Sequence, residues 1–279
     1  MTKLFRVENM KRVITALIGV PIILAIILLL PSLYFALLVA FAVLIMLYEY
    51  FRMLGKNAIK PYKLLGYVLV IFIMVIFYLN MESLTVLYFV IPVSILLFSL
   101  IQKEEFDAIL LRSSMSMLGI LYIGGLSSYL IALRRFNGDD KLGKELLLLL
   151  MGIVWFTDTG AYYVGSKLGK HPLTPRISPK KTIEGTIGGV AAGIVGGVLV
   201  NLLFHRFIRM EECIVISIVI SIIGQCGDLV ESLIKRALKT KDAGSILPGH
   251  GGIMDRMDAV IFSAPFMYLY FYMKLIINQ

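Results

Sequence analysis

The sequence predicts an all-α integral membrane protein, a polytopic bundle of about nine transmembrane helices. Of its 279 residues, 59% are hydrophobic and only 16% are charged, and the mean hydropathy is +0.88. A soluble domain carries about 25% charged residues. The apolar runs are also too long and too numerous for the buried helices of a soluble core.

Nine apolar segments are predicted to span the membrane, and their flanking charges predict the orientation. When the loops are assigned to alternate sides, most of the 27 Lys and Arg residues fall on one side. The positive-inside rule places that side, with the N-terminus and the loops at 167–183 and 235–256, in the cytoplasm and the C-terminus outside. The net charge of +9 comes largely from the Lys and Arg residues on that side, which the membrane topology explains. No nucleic-acid partner is therefore predicted. The predicted spans are residues 12–30, 32–54, 62–80, 84–101, 114–133, 145–166, 184–204, 212–234 and 257–277.

Within one membrane domain, the composition predicts two regions. Residues 1–113 are nearly pure hydrophobic helix, whereas residues 114–279 carry the candidate chemistry. In the first region, Glu49 is interpreted as an ordinary interfacial charge, and the segment 104–112 as a short amphipathic helix lying along the membrane interface.

The sixth and seventh predicted spans differ from the first five. Asp158 lies inside an apolar segment, which is costly unless the carboxylate faces a wet cavity, a metal or a cation. The span after it is rich in glycine and alanine between Gly185 and Gly197. Small residues allow helices to approach closely, so packing is a sufficient explanation for that pattern.

The eighth span ends as an amphipathic helix. Its polar residues recur every three or four positions, so they share one helix face. Asp228 and Ser232 lie one turn apart on this face, and Lys235 lies about one turn further on. A solvated helix end with a Glu231–Lys235 ion pair is the plainer interpretation, but it explains Asp228 poorly. The full polar face comprises Gln225, Asp228, Glu231, Ser232, Lys235 and Lys239.

A glycine-rich turn, residues 248–252, precedes the last span. Such a turn allows backbone N–H groups to approach a phosphate, although a tight turn into the next helix is an equally simple explanation. For His250 in this turn, functional and structural roles both stay open. Asp255 and Asp258, three residues apart, fall on one face at the start of the next helix. Helix capping explains one of them, and Asp228 with Asp255 predicts a pair of ligands for Mg²⁺, which prefers oxygen ligands.

The basic loop at 166–185 has two interpretations. A polybasic loop often serves only topology and attraction to anionic lipids. However, Lys180 and Lys181 directly precede a predicted helix N-terminus at which Thr182 is a good cap and Glu184 lies in the first turn. A helix N-terminus with adjoining lysines is suited to binding phosphate, and we favour this functional interpretation.

The run from Ser232 to Asp258 resembles the signature of the phosphatidate cytidylyltransferases, also called CDP-diacylglycerol synthases. It has the pattern S-x2-K-R-x4-K-D-x5-P-G-H-G-G-x2-D-R-x-D, and the blocks 158–162 and 178–185 are similar to other shared blocks of that family. The likeness covers roughly residues 150–260, while the N-terminal 110 residues match only in being hydrophobic. Ala259 departs from the serine that often follows the last aspartate.

The resemblance implies an enzyme that converts CTP and phosphatidic acid into CDP-diacylglycerol and pyrophosphate with Mg²⁺, a second cation being possible. The metal ligands would be Asp228, Asp255 and Asp258. The catalytic residues would be Asp228, Asp255, Asp258, Lys235, Arg236, Arg256 and His250. The substrate-binding residues would be Asp158, Ser178, Lys180, Lys181, Thr182, Ser232, Lys241, Gly249, Gly251 and Gly252.

Two other functions and a homodimer are also considered. A CTP-dependent kinase of a polyprenol or similar lipid alcohol would use the same nucleotide but would need a base at the substrate hydroxyl. A transporter would use Asp158 and the glycine-rich span as a pathway. The transporter is disfavoured because the charges gather at one membrane face. A homodimer is possible, and no residue specifies it.

Overall fold

The computed structural model describes residues 17, 19–79, 89–204, 207–244 and 251–277, and these residues are mostly helical. Among these described residues, six segments are long and apolar enough to cross a membrane, namely 32–56, 106–138, 140–168, 183–203, 210–237 and 254–277. The helices are α1 (Gly19–Leu29), α2 (Ser32–Lys56), α3 (Lys63–Tyr78), α4 (Ile91–Leu100), α5 (Phe106–Gly119), α6 (Leu126–Arg134), α7 (Asp140–Leu168), α8 (Ile183–Leu203), α9 (Met210–Ala237) and α10 (Met254–Ile277).

The helical architecture predicted from the sequence is confirmed, and it includes described helices that are long and apolar enough to cross a membrane. An apolar helix lies at each of the nine predicted positions, but the described parts of α1, α3 and α4 have only 10–17 residues each. The number of nine crossings therefore stays a prediction.

The segment 104–112 is not a separate interfacial helix. Its residues from Phe106 onward form the first turns of α5, which continues through a π-helical turn, Ile120–Gly125, into α6. Arg112 explains this arrangement, because its guanidinium pairs with Glu104 and donates a hydrogen bond of 2.6 Å to the carbonyl of Lys60. The charges that suggested an interfacial helix thus join the start of α5 to the preceding loops.

A small antiparallel hairpin, which the all-α prediction did not include, lies between α7 and α8. Strand β1 (Pro172–Thr174) pairs with β2 (Ser178–Thr182), with Pro172 opposite Thr182 and Thr174 opposite Ser178. The carboxylate of Glu184 accepts hydrogen bonds from the backbone N–H groups of Lys170 and His171, at 3.1 and 3.3 Å. These bonds join the entry to the hairpin to the first turn of α8.

By packing, the chain forms two compact units. The first comprises Met1–Arg135 and Leu238–Arg256, and the second comprises Phe136–Ala237 and Met257–Gln279. The predicted division at residue 113 rested on composition and stays a prediction.

The core of the first unit contains buried aromatic residues of α2 that pack against glycines. The hydroxyl of Tyr50 donates a hydrogen bond of 2.9 Å to the carbonyl of Met115 in α5, and its ring fills the space at Gly119. Phe51 lies against Gly66 of α3 in the same way. The C-terminal half of α2 therefore packs against two helices, α5 at Tyr50 and α3 at Phe51.

In the second unit, α7 and α8 pack through small residues, as the composition of the seventh span predicted. A Cβ atom at Gly160 would lie 2.8 Å from the carbonyl oxygen of Gly188, and one at Gly189 would lie 3.0 Å from that of Thr157. The hydroxyl of Thr157 lies 2.8 Å from that of Ser221, which connects α7 to α9. These close approaches place α7, α8 and α9 side by side.

We expect Gly160→Ala to lower the midpoint of thermal unfolding in detergent micelles. The added methyl group would press on backbone atoms of α8, and overpacking of this kind costs about 1–3 kcal/mol. That cost outweighs the gain in helix propensity, which is about 1 kcal/mol. Gly55→Ala is the matched control, because no atom lies within 4 Å of a Cβ atom built there, and its midpoint should stay the same or rise. An unchanged midpoint for Gly160→Ala would contradict the tight packing of α7 on α8.

Candidate active site

Three carboxylates of the second unit form an acidic cluster. Asp228 and Glu231, three residues apart on α9, share a helix face, and Asp258 is contributed by α10. One carboxylate oxygen from each lies within 4.8 Å of the other two. Glu231 is 1% exposed and Asp258 is 9% exposed, so two of the three charges are withdrawn from solvent. We call Asp228, Glu231 and Asp258 the acidic cluster.

Two lysines compensate the charge of this cluster. Lys235 Nζ lies 2.6 Å from Glu231 Oε2, one turn along α9, and its side chain is only 13% exposed. Lys181 Nζ, from strand β2, lies 2.6 Å from Asp228 Oδ2. The sequence predicted both lysines as site residues. The hairpin therefore brings a cation from a distant loop directly to the carboxylate of Asp228.

Two further predicted residues belong to the same surroundings. Ser232 donates a long hydrogen bond of 3.4 Å to Asp228 Oδ1, so the predicted one-turn pair on α9 is confirmed. The charge of Asp158 on α7 acts on Asp258, as do the charges of Asp228 and Lys235. Asp158 is exposed in the described chain, and its predicted polar surroundings stay a prediction.

The hairpin is positioned by contacts at both of its ends. Thr182 caps α8, because its hydroxyl accepts a hydrogen bond of 3.1 Å from the backbone N–H of Gly185, as predicted. Arg236 Nε of α9 donates a hydrogen bond of 3.2 Å to the carbonyl of Ile177, next to β2. Lys180 is exposed on β2 and Ser178 begins that strand. The predicted residues of this loop and of α9 thus meet at one place.

The described residues of the glycine turn, Gly251 and Gly252, lie in the first unit together with Asp255. Asp255 Oδ2 accepts hydrogen bonds from the backbone N–H groups of Gly252 at 2.8 Å and Ala243 at 3.1 Å. Gly251 has a φ of +81°, a backbone conformation that favours glycine. These contacts give Asp255 a capping role at the start of α10, the alternative considered from the sequence, and its role as a metal ligand stays a prediction. Arg256 and Lys241 are exposed.

His250 and Gly249 lie outside the described residues. Their predicted roles therefore stay predictions.

Sequence reasoning missed Glu231 as a site residue. Its ion pair with Lys235 was predicted, but as a solvated helix end, and that part of the interpretation is wrong because Glu231 is buried. The spacing held the missing signal. Glu231 lies three residues after Asp228, so it had to share the face already assigned to the site.

Sequence reasoning also misjudged Glu49, which is not an ordinary interfacial charge. Glu49 is 1% exposed, and its two carboxylate oxygens accept hydrogen bonds from the backbone N–H groups of Ile253 at 3.2 Å and Met254 at 3.0 Å. No local pattern marks this contact, since its partners are more than 200 positions away in the chain.

The acidic cluster fits a divalent cation in donor type and spacing. Mg²⁺ binds oxygen ligands at about 2.1 Å, so two ligands on opposite sides of the ion lie about 4.2 Å apart. The separations of up to 4.8 Å within the cluster reach this value with small side-chain movements. Among the described residues, no other group of three His, Cys, Asp or Glu side chains meets the same geometric criterion.

The fold and the site together define a class, a multi-pass membrane protein whose carboxylate cluster, flanked by lysines, has the composition of a site for phosphate compounds. The model of the cytidylyltransferase family matches residues 10–274, and the chain belongs to this family.

Several curated relatives are named phosphatidate cytidylyltransferase. The Bacillus subtilis protein is 40% identical over 151 residues, which is 54% of this chain and 55% of the relative. A Staphylococcus epidermidis protein is 35% identical over 173 residues, covering 62% and 64% of the two chains. The Staphylococcus saprophyticus protein is 34% identical over 189 residues, covering 68% of each. The chain thus aligns with a little over half to about two thirds of the length of these relatives.

Proposed function

We propose that this protein transfers a cytidylyl group from CTP to phosphatidic acid, producing CDP-diacylglycerol and pyrophosphate. One observation carries the proposal: the buried acidic cluster meets a basic hairpin through the Lys181–Asp228 pair, within a membrane protein of the cytidylyltransferase family. Carboxylates for a cation and lysines for phosphates are the two components that this reaction needs.

The reaction forms one bond to the α-phosphorus of CTP and breaks another. A phosphate oxygen of phosphatidic acid attacks the α-phosphorus, and the bond from that phosphorus to the oxygen bridging to the β-phosphorus breaks. The electron pair leaves with pyrophosphate. Because the nucleophile is already an anion, the site needs no strong general base.

The basic residues bind and orient the phosphate groups. Lys180, exposed on β2, and Arg236, exposed on α9, bind phosphate oxygens of the substrates. Lys181 forms an ion pair with Asp228 and exchanges it for a substrate phosphate when the substrate binds. Lys235 stays paired with Glu231 and offsets the charge of the buried carboxylates. Ser232 keeps the Asp228 carboxylate oriented through its hydrogen bond.

The residues proposed to hold Mg²⁺ are Asp228, Glu231 and Asp258, with Asp255 also predicted from the sequence. These residues would hold the cation where it would neutralise charge on the triphosphate and on the leaving pyrophosphate. The sequence supports nine crossings with the site facing the cytoplasm, where CTP is available. A homodimer and a second cation stay predictions.

The test is product analysis with the purified full-length protein. We expect CTP, phosphatidic acid and Mg²⁺ to yield pyrophosphate and CDP-lipid in equal amounts. CTP labelled separately in the cytosine ring and at the γ-phosphate identifies the transferred group. Ring label in the lipid supports the proposal. In a parallel reaction with a polyprenol in place of phosphatidic acid, transfer of the γ-phosphate label to the polyprenol would indicate the lipid kinase. The absence of CDP-lipid from the reaction with phosphatidic acid would overturn the proposed function.

A further inference from the structure

Glu49 is a buried carboxylate that the proposed reaction does not use. It lies on α2, in the first unit, and its two oxygens accept hydrogen bonds from the successive N–H groups of Ile253 and Met254. Met254 begins α10, so these N–H groups lie at the start of a helix, where backbone N–H groups have no acceptor within the helix itself. A side chain from the other end of the sequence therefore caps α10.

Two glycines shape the space around this carboxylate. A Cβ atom at Gly252 would lie 2.6 Å from Glu49 Oε2, and one at Gly244 would collide with Glu49 Oε1. Neither residue has a positive φ, so backbone conformation does not explain glycine at these positions. Of the glycines first interpreted as a phosphate cradle, Gly252 is thus accounted for by the close approach of Glu49.

Two more contacts connect α2 to the chain that leads to α10. Asn57 Nδ2 donates a hydrogen bond of 2.7 Å to the carbonyl of Leu238, and the hydroxyl of Thr240 lies 3.3 Å from the sulfur of Met53. Asp255 contributes to the same arrangement, because its carboxylate accepts hydrogen bonds from the backbone N–H groups of Gly252 and Ala243. The end of α2 thus holds this segment both where it leaves α9 and where it enters α10.

We infer that Glu49 is a positioning residue for the reaction. Its carboxylate fixes the backbone at residues 252–254 and with it the start of α10, the helix that carries Asp255 and Asp258. The functional part of this inference rests on the proposed cytidylyl transfer, whereas the structural part does not. Small displacements of catalytic groups are costly, since about 1 Å can reduce turnover roughly a hundred-fold.

The test uses Glu49→Gln, which keeps the size of the side chain but offers one acceptor oxygen in place of two. We expect kcat to fall about 10- to 100-fold, with little change in the KM for CTP, because a positioning loss acts mainly in the transition state. Hydrogen–deuterium exchange should rise at the backbone amides of residues 252–254. Glu145→Gln is the control, since Glu145 is also buried but lies in the other unit, and it should change neither quantity.

A double-mutant cycle tests the contact itself. Gly244→Ala should reduce kcat in the wild-type background, where the methyl group meets the Glu49 carboxylate, but much less in a Glu49→Ala background. If Glu49→Gln leaves kcat and amide exchange unchanged, or lowers only the unfolding midpoint, the inference is overturned. If wild-type protein makes no CDP-lipid but the exchange result holds, the proposed function fails and the contact stands.

Discussion

Asp258→Asn is expected to reduce cytidylyl transfer on the order of a thousand-fold while the protein remains folded. The substitution removes one negative charge and one possible metal-binding oxygen from the acidic cluster, and it keeps the shape of the side chain. The retained amide oxygen can still accept the hydrogen bond that Asp258 Oδ1 now receives from the N–H of Ala259 at 2.8 Å. The local backbone therefore keeps its partner, and the loss of turnover reports on the carboxylate alone.

The same substitution is expected to leave the unfolding midpoint unchanged or to raise it. Asp258 is largely buried and feels the like charges of Asp228 and Asp158, so neutralising it relieves repulsion and desolvation. Opposite effects on activity and stability are typical of residues kept for function.

Turnover and thermal unfolding should be measured on the same detergent-solubilised preparation, at several Mg²⁺ concentrations. Asp107→Asn is the control, because Asp107 is an exposed carboxylate in the first turn of α5, outside the cluster. It should change turnover by less than about two-fold, in line with the small effects of most surface substitutions. If Asp258→Asn retains most of its activity at every Mg²⁺ concentration, the acidic cluster is not the catalytic centre.

Glu231→Leu is expected to destabilise the protein by about 3–5 kcal/mol. The substitution removes the carboxylate that lies 2.6 Å from Lys235 Nζ, and the lysine side chain is too buried to regain full hydration. Removing one partner of a buried ion pair costs more than removing both, since the remaining charge stays desolvated. The double substitution Glu231→Leu with Lys235→Met should therefore recover much of the lost free energy of unfolding.

Activity separates the two roles of Glu231. If Glu231 is a ligand of the bound cation, as we propose, turnover in the double variant stays below that of Lys235→Met alone although stability returns. Recovery of turnover along with stability would show that Glu231 serves only the ion pair. The control is the pair of Lys144 and Asp140, which has an N–O distance of 2.7 Å, the same i,i+4 spacing and a carboxylate that is 60% exposed. Breaking it through Asp140→Asn should cost no more than about 1 kcal/mol.

The helical fold and much of the site could be predicted because their signals are local. Long apolar runs predict spans at the positions where the helices are found, and a period of 3.6 residues places Asp228 and Ser232 on one face of α9. The cap at Thr182 follows from three neighbouring residues. The small hairpin was missed because its strands have only three and five residues and contain proline, which is unfavourable for strand prediction.

The errors concern burial and long-range pairing. Glu49 and Glu231 both resemble solvated charges at helix ends, and their sequence neighbours do not reveal that other helices cover them. The Lys181–Asp228 pair joins a loop to a helix dozens of positions away. The lysines that precede the helix N-terminus did predict a phosphate-binding role for this loop, but only the fold shows which carboxylate Lys181 meets.

The sequence by itself determined that this chain is helical and rich in segments long and apolar enough to cross a membrane, and it predicted which residues bear its chemistry. Helix formation, apolar length and motif spacing depend on residues close together in the chain, so one sequence suffices to recognise them. The tertiary structure alone decided that Glu231 joins Asp228 and Asp258, that Lys181 compensates Asp228, and that Glu49 caps α10. Those contacts depend on how each helix is rotated and covered by its neighbours, which is set by packing across the whole chain.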